Sequence, residues 1–337
     1  MRALRYYRTG PAADVLRFID RPMPAPKPFE VRVRVAMSGV NPHDTKGRSG
    51  WTGMGVPEGG VTPHSDGAGT IDAVGASVGS HRVGERVWLV GARPEGTAAE
   101  YVCLPADRAI RLPETLGFAE GAALGVPAIT AWLAVLNDGP VTGQTILVQG
   151  GGGAVGRVAV ELAARSGARV IATAGHVASR AVATEKGAHI VLDRHDDDVA
   201  RIAQEVTDGR GVDRVIDVDF GANQQVTLAA LAEHGTVSAY SCSENRTPTL
   251  DYYGFARKSA RLDFVQGALL SPRQLSEASQ AVNAFLEAGH LRPDIAEIVP
   301  WQDTAHAHDM VEAGAPANVV VALDPAQATA PPNRETA

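Results

Sequence analysis

The chain has 337 residues, a formal net charge of −7 and a sequence pI of about 5.8, without the basic excess that marks a nucleic-acid binder. No apolar run reaches the length of about 18 residues that a membrane span needs, and no apolar leader core follows Met1-Arg-Ala-Leu-Arg5. Two cysteines, Cys103 and Cys242, are too few for a disulfide framework or a four-cysteine zinc lobe, so a cytoplasmic location is expected. At about 100–200 residues per domain, the length calls for two domains.

The first 120 residues read as short strands and turns. Val31-Arg-Val-Arg-Val35 alternates with period two, as a half-buried strand does. Ala68–Val74 and Glu85–Val90 are further strand candidates. Glycine and proline punctuate them at Gly39, Pro42, Gly47, Gly53, Gly59-Gly60 and Gly79. A barrel-like β domain is expected here.

The pattern changes near residue 120, and residues 145–265 alternate strand with helix. Thr145–Val148 is a β-branched run. Val155, Val158, Ala159, Leu162 and Ala163 then mark one helix face, and Arg169–Thr173 is the next strand. A helix over Ser179–Lys186 is stopped by Gly187. His189–Leu192, Val212–Val218, Gly235–Ala239 and Leu262–Val265 read as later strands. Such alternation implies a doubly wound parallel sheet. A last helix is expected over Gln274–Leu286 and a last strand over Val319–Leu323, with a frayed tail from Asp324.

Gly151-x-Gly153-x-x-Gly156 follows the Thr145–Val148 strand and opens a helix, the context a dinucleotide loop requires. The first glycine permits the tight turn, the second lets the main chain approach a pyrophosphate, and the third lets helix and sheet pack closely. The first helical turn, Ala154-Val155-Gly156, offers N–H groups and a partial positive charge to phosphate. An NAD site expects an acid at the end of the second strand. Here that end reads Ile171-Ala-Thr-Ala-Gly-His176. The missing acid favours NADPH, with Thr173, Gly175, Ser179, Arg180 and Arg194 as candidate contacts to the 2′-phosphate. Each arginine has a blander reading as a solvated surface charge.

With these motifs in view, the sequence resembles the medium-chain dehydrogenase/reductase superfamily, and within it the zeta-crystallin-like NADPH:quinone oxidoreductases. The resemblance rests on Ser38-Gly-Val-Asn-Pro-His-Asp44, Arg48-Ser-Gly50, Ser65-Asp-Gly-Ala-Gly69, Val83-Gly-Glu-Arg-Val87, Gly96-Thr-Ala-Ala-Glu-Tyr101, Ala122-Ala-Leu-Gly-Val-Pro127 and Gly150–Gly156, in the family's order and spacing over about residues 1–323. It implies an α/β protein: a GroES-like β-rich catalytic domain over 1–122 and 266–325, a Rossmann NADP(H)-binding domain over 123–265 with a doubly wound parallel sheet, and a flexible tail over 326–337. The active site would lie in the cleft between domains, and the assembly would be a homodimer through Rossmann sheet edges.

The resemblance also assigns residues. Zinc alcohol dehydrogenases of this superfamily hold catalytic zinc at positions occupied here by Asn41, Ser65 and Leu124. None of these is a good zinc ligand, so no metal is expected, although His43 and His64 lie nearby in sequence. Asn41 would polarise the acceptor carbonyl through its amide, or only fix the turn before Pro42. Asp44 sits at the family's acidic position. Lys46 stands where relatives often carry tyrosine. It either stabilises a developing enolate or quinolate or is a solvated loop lysine, and Trp51 either walls a pocket or packs the loop. Thr130, Ser241, Val265 and Asn318 fall at cofactor positions, Asn318 where many relatives have lysine or arginine.

The activity these features imply is reduction of a quinone, or of a double bond conjugated to a carbonyl, by hydride from NADPH. The alternatives are an alcohol dehydrogenase-type oxidoreductase and a non-catalytic, crystallin-like NADPH-binding protein.

Overall fold

The computed structural model describes residues 1–92 and 95–323, so the expected frayed tail lies outside the described residues. The chain divides into two compact units, Met1–Val126 with Leu275 onward, and Pro127–Gln274. The corresponding limits expected from sequence were residues 122 and 266.

The first unit begins with the hairpin β1 (Arg2–Arg5) and β2 (Arg17–Asp20), linked by the short helix α1 (Ala12–Val15). Then come β3 (Glu30–Val40), α2 (Pro42–Ser49), β4 (Asp66–Val74), β5 (Arg86–Leu89), β6 (Tyr101–Pro105), β7 (Ala109–Arg111) and α3 (Phe118–Ala122). The long strand β3 pairs antiparallel with both β4 and β6. Val31, Val33 and Val35 point from it into an apolar core with Ile71, Val87, Leu89, Val102 and Leu104. The register shifts between Val35 and Met37. Beyond that bulge every residue to Val40 is buried, which delivers the chain to α2 inside the protein rather than at its surface.

The second unit takes in most of helix α4 (Gly125–Val135) and continues with β8 (Thr145–Val148), α5 (Ala154–Arg165), β9 (Arg169–Ala174), α6 (Val177–Glu185), β10 (Ile190–Asp193), α7 (Val199–Glu205), β11 (Val212–Asp217), α8 (Phe220–Ala230), β12 (Leu231–Ala239), α9 (Tyr252–Arg257) and β13 (Arg261–Phe264). The sheet order is β10-β9-β8-β11-β12-β13, parallel throughout. Strand order reverses between β8 and β11, the switch point where open α/β sheets bind ligands. Leu147, Ile171, Leu192, Val212, Val215 and Val237 form its core.

Helix α10 (Pro272–Glu287) returns the chain to the first unit, where β14 (Ile295–Pro300), α11 (Thr304–Glu312) and β15 (Asn318–Ala322) follow. Strand β15 pairs antiparallel with β3 and parallel with β14, completing a seven-stranded sheet. No described helix is long and apolar enough to cross a membrane.

Candidate functional site

In the second unit the glycines of the loop have separable physical roles. A Cβ at Gly156 would lie 2.0 Å from the Gly150 carbonyl oxygen, and one at Gly151 would lie 2.8 Å from the Ala172 Cβ. Both positions are closed by the protein itself. At Gly152 a Cβ would press on Ser179, which packs α6 against the loop. Gly153 differs: a Cβ there would meet the Gly150 oxygen at an ordinary 3.4 Å, and Gly153 is exposed at the N-cap of α5. Protein packing therefore does not require this glycine, and the space it leaves lies at a helix N-terminus suited to phosphate. Thr173 fastens the loop to β9: its carbonyl accepts from Gly151 N at 2.8 Å and its Oγ1 from Gly150 N at 3.3 Å.

The residues expected at the ribose are partly rearranged. Arg180 forms an ion pair with Asp193. Asp193 ends β10 in register with Ala174 at the end of β9, so an acid absent from the second strand arrives from its neighbour. Reading one strand at a time missed it. The His195 main-chain N–H, helped by Arg180, holds this carboxyl below its usual range. Any phosphate that Arg180 meets would have to share it with Asp193. Arg194 is exposed and borders Gly175, where a Cβ would meet its Nε at 2.8 Å.

Three further cofactor candidates lie in this unit. Thr130 is buried on α4, and its Oγ1 would be 3.6 Å from a Cβ at Gly267. Val265 N bonds Ala239 O at 2.8 Å, extending the β12–β13 pairing. Ser241 follows β12 and shares a 2.9 Å hydroxyl contact with Ser243.

In the first unit Asn41 caps α2, with Pro42 at the first helical position, where its missing N–H costs nothing. Asp44 Oδ2 accepts Asn41 N at 3.0 Å. Asp44 is 0 % exposed, so it sits beneath Asn41 as the acid of the α2 cap. Asn41 Nδ2 donates to Asp66 Oδ2 at 2.7 Å, and Val126 N donates to the same oxygen at 2.7 Å. Burial pushes the Asp66 carboxyl up to about 7. Asn318 lines the same small cavity as Asn41 and Asp66, and its Nδ2 donates to Asp294 O at 2.9 Å. Lys46 places its ammonium 4.7 Å from the centre of the Trp51 ring, a cation–π contact.

A buried polar chain runs behind these groups. Thr97 Oγ1 donates to Asp66 O at 2.5 Å, so Ser38 must donate to Thr97 at 2.7 Å. Ser38 then accepts from His64 Nδ1 at 2.7 Å, and His64 Nε2 accepts from His308 Nε2 at 2.9 Å. One carbonyl thereby fixes both imidazole tautomers. Burial, reinforced by His64, drives the His308 value well below its usual level. His64 sits at a φ of 73°, a strained setting for a residue with a side chain.

With this geometry in place, the known relatives take on meaning. Residues 27–114 match the alcohol dehydrogenase GroES-like domain family, and residues 154–284 match the zinc-binding dehydrogenase family. Quinone oxidoreductase from Sus scrofa is 31% identical over 92% of this chain and 93% of its own length, and that from Homo sapiens is 31% identical over 92% and 94%. The chain belongs to the zeta-crystallin-like quinone oxidoreductases of the medium-chain dehydrogenase/reductase superfamily.

Among solved structures, a mycobacterial protein complexed with NADPH superposes with a TM-score of 0.86 at 27% identity, covering 96% of this chain and 100% of that one. An NAD-dependent alcohol dehydrogenase does so with a TM-score of 0.84 at 26% identity, covering 96% and 100%. Against the zinc-binding name of one matched family, this zeta-crystallin-like chain offers a poor donor set. His43 Nε2 is 2.7 Å from Ser65 Oγ, whereas His64 faces Ser38 and His308. Among the described residues no three His, Cys, Asp or Glu side chains gather so as to hold a metal ion.

Proposed function

We propose that the protein reduces a quinone, or a carbon–carbon double bond conjugated to a carbonyl, with NADPH and without a metal. The observation that carries this reading is the contrast at the glycine loop. Gly156 is closed by the Gly150 carbonyl, whereas Gly153 leaves open space at the N-terminus of α5, the shape a pyrophosphate fills. The kinship to quinone oxidoreductases and the NADPH complex of a 27% identical protein support the cofactor.

When bound, NADPH supplies a hydride. Transfer to a quinone, or to the β-carbon of an enone, moves negative charge onto the substrate oxygen. Asn41 Nδ2 carries two N–H bonds. One goes to Asp66, and the second is offered to that oxygen. Lys46, seated against Trp51, adds positive charge and a proton source. Thr130, Ser241, Val265 and Asn318 are proposed to border the cofactor.

The test is steady-state NADPH oxidation with 1,4-naphthoquinone and with an alkenal, with and without a chelator. Turnover that survives chelation supports the proposal. Turnover only with an alcohol and NAD⁺ replaces it with the dehydrogenase reading, and NADPH binding without turnover replaces it with the crystallin-like one. A homodimer through the second unit's sheet edge is proposed as well. Strand β13 is an edge strand, with Phe264 75 % exposed and Tyr253 of the adjoining α9 71 % exposed. A monomer at all concentrations in sedimentation would count against it.

A further inference from the structure

Asp66 belongs to the Ser65-Asp-Gly-Ala-Gly69 segment, to which no chemistry has been assigned. It is 0 % exposed. Its Oδ2 accepts from both Asn41 Nδ2 and Val126 N, while its Oδ1 is buried with no hydrogen-bond partner. The carboxyl is boxed in by glycines: a Cβ at Gly125 would lie 2.2 Å from Oδ1, and one at Gly39 would lie 3.2 Å from the Asp66 Cβ. A half-satisfied buried carboxyl is a costly way to accept two hydrogen bonds. An asparagine accepts the same pair through its oxygen and carries no charge.

What asparagine lacks is polarity of one sign. An unheld amide can flip about its last torsion and exchange donor for acceptor. An ionised carboxylate only accepts, so at Oδ2 it bonds the amide N–H and excludes the flipped amide. When Asp66 is protonated, the proton goes to Oδ1, because Oδ2 already accepts from two donors. The selection therefore survives protonation. We infer that Asp66 is the positioning residue of the site: it holds Asn41 with its second N–H facing the substrate oxygen. This rests on the reductase reading above.

Charge adds a second effect. The titratable groups facing Asp66 from α2 are His43 and Asp44. Burial lifts the carboxyl to about 7, so ionisation near neutrality sets a negative charge behind Asn41 as the substrate oxygen also becomes negative. Like charges oppose one another, and turnover falls as pH rises through this range.

The test uses the whole protein as wild type, D66N, N41A and the double variant, with NADPH and 1,4-naphthoquinone. D66N is expected to lower kcat/KM about tenfold or more with the NADPH Kd unchanged, and to remove the fall in rate near pH 7. In the N41A background D66N is expected to cost nothing further, because both residues act through one amide. Additive losses, or a D66N enzyme with the wild-type rate and pH profile, overturn the inference. A second measurement needs neither turnover nor a folded variant at position 66. In wild-type protein the Asn41 side-chain amide resonances, assigned by their absence in N41A, are expected to shift with a midpoint near pH 7. Amide signals that ignore pH overturn the titration of Asp66 behind Asn41 and with it the charge effect, and the double-variant cycle alone then decides the positioning role. Wild-type protein inert to quinone but with titrating Asn41 signals defeats the reductase reading and leaves the Asp66–Asn41 coupling standing.

Discussion

Around Gly150–Gly156 the groups that would face a ligand are main-chain N–H groups, and the chain makes room for them by omitting side chains. Around Asn41 they are side chains, each held by another buried side chain: Asp44 under the main chain, Asp66 on the amide. The first arrangement is local, neutral and written in spacing. The second is assembled from residues far apart in sequence and includes groups that titrate. The two regions should therefore fail in different ways: the loop by steric substitution, the cluster by pH and by loss of partners.

The largest effect expected in the loop separates two glycines. Gly156→Ala drives a methyl into the Gly150 carbonyl. Main chain cannot rotate away as a side chain can, so a loss above about 3 kcal/mol is expected, at the upper end for overpacking. Gly153→Ala meets no such obstacle, and Gly153 already sits at φ −76° and ψ 170°, open to any residue. Its stability should rise by about 0.5 kcal/mol through a stiffer unfolded chain, while NADPH binding weakens about tenfold or more. Denaturant midpoints and NADPH titration of the two variants check this. A Gly153→Ala protein with wild-type affinity would remove the loop's claim to the pyrophosphate.

In the polar cluster the matching test is the pH dependence of stability. The folded Asp66 value, about 7, stands above its ordinary 3.8. Between these values the folded state holds a proton that the unfolded state has lost, so the Asp66 contribution to stability falls as pH rises from about 4 and levels off above 7. At about 1.4 kcal/mol per unit, the full penalty is on the order of 4 kcal/mol. D66N removes it, so its stability relative to wild type should climb over that range and then stay flat. His308 acts oppositely. Its folded value is depressed, so stability is intact above the ordinary histidine value of about 6.5 and is lost as pH falls below it. A constant difference between D66N and wild type from pH 4 to 8 would show that the folded Asp66 carboxyl is not raised above its ordinary value.

This division also explains what the sequence disclosed. Strands β8 and β9 and helix α5 were legible because an amphipathic helix between two β-branched runs leaves a clear period. Helix α4 was missed because Ala128, Ile129, Ala131, Trp132, Ala134 and Val135 are all buried, and a helix apolar all round has no periodic face. Helix α11 was missed because its buried face carries Thr304 and His308, which break the apolar pattern. At the site, Asn41 and the glycines could be named from motifs. Asp66 was visible only as one letter in a matched segment, since its meaning comes from Asn41 and Val126, brought together by the β3–β4 pairing and the turn into α4. The chain from Thr97 through Ser38 and His64 to His308 links two loops, strand β3 and helix α11, far apart in sequence, a link that no spacing rule encodes.

The smallest effects, and the sharpest comparison, concern the ribose end, where the two kinds of site meet. The loop there is main chain, but selectivity between NADPH and NADH depends on side chains. Arg194 is exposed beside Gly175, and arginine's planar fork suits a phosphate. Arg194→Ala should raise the NADPH Michaelis constant about tenfold, equivalent to about 1.4 kcal/mol, with NADH use nearly unchanged. Arg180 is different because Asp193 already occupies it. Removing Arg180 would leave Asp193 charged and unopposed, so Arg180→Ala should also weaken NADPH, but through repulsion rather than a lost contact. Asp193→Asn separates the two causes. If Arg180 reaches the 2′-phosphate once released, Asp193→Asn sharpens the NADPH preference by a few-fold, about 1 kcal/mol, and Arg180→Ala in that background cancels the gain. If Arg180 serves only to neutralise Asp193, the double variant and Asp193→Asn share one NADPH constant. Wild-type protein that prefers NADH would instead assign Asp193 to the ribose hydroxyls, with β10 supplying the acid that β9 lacks.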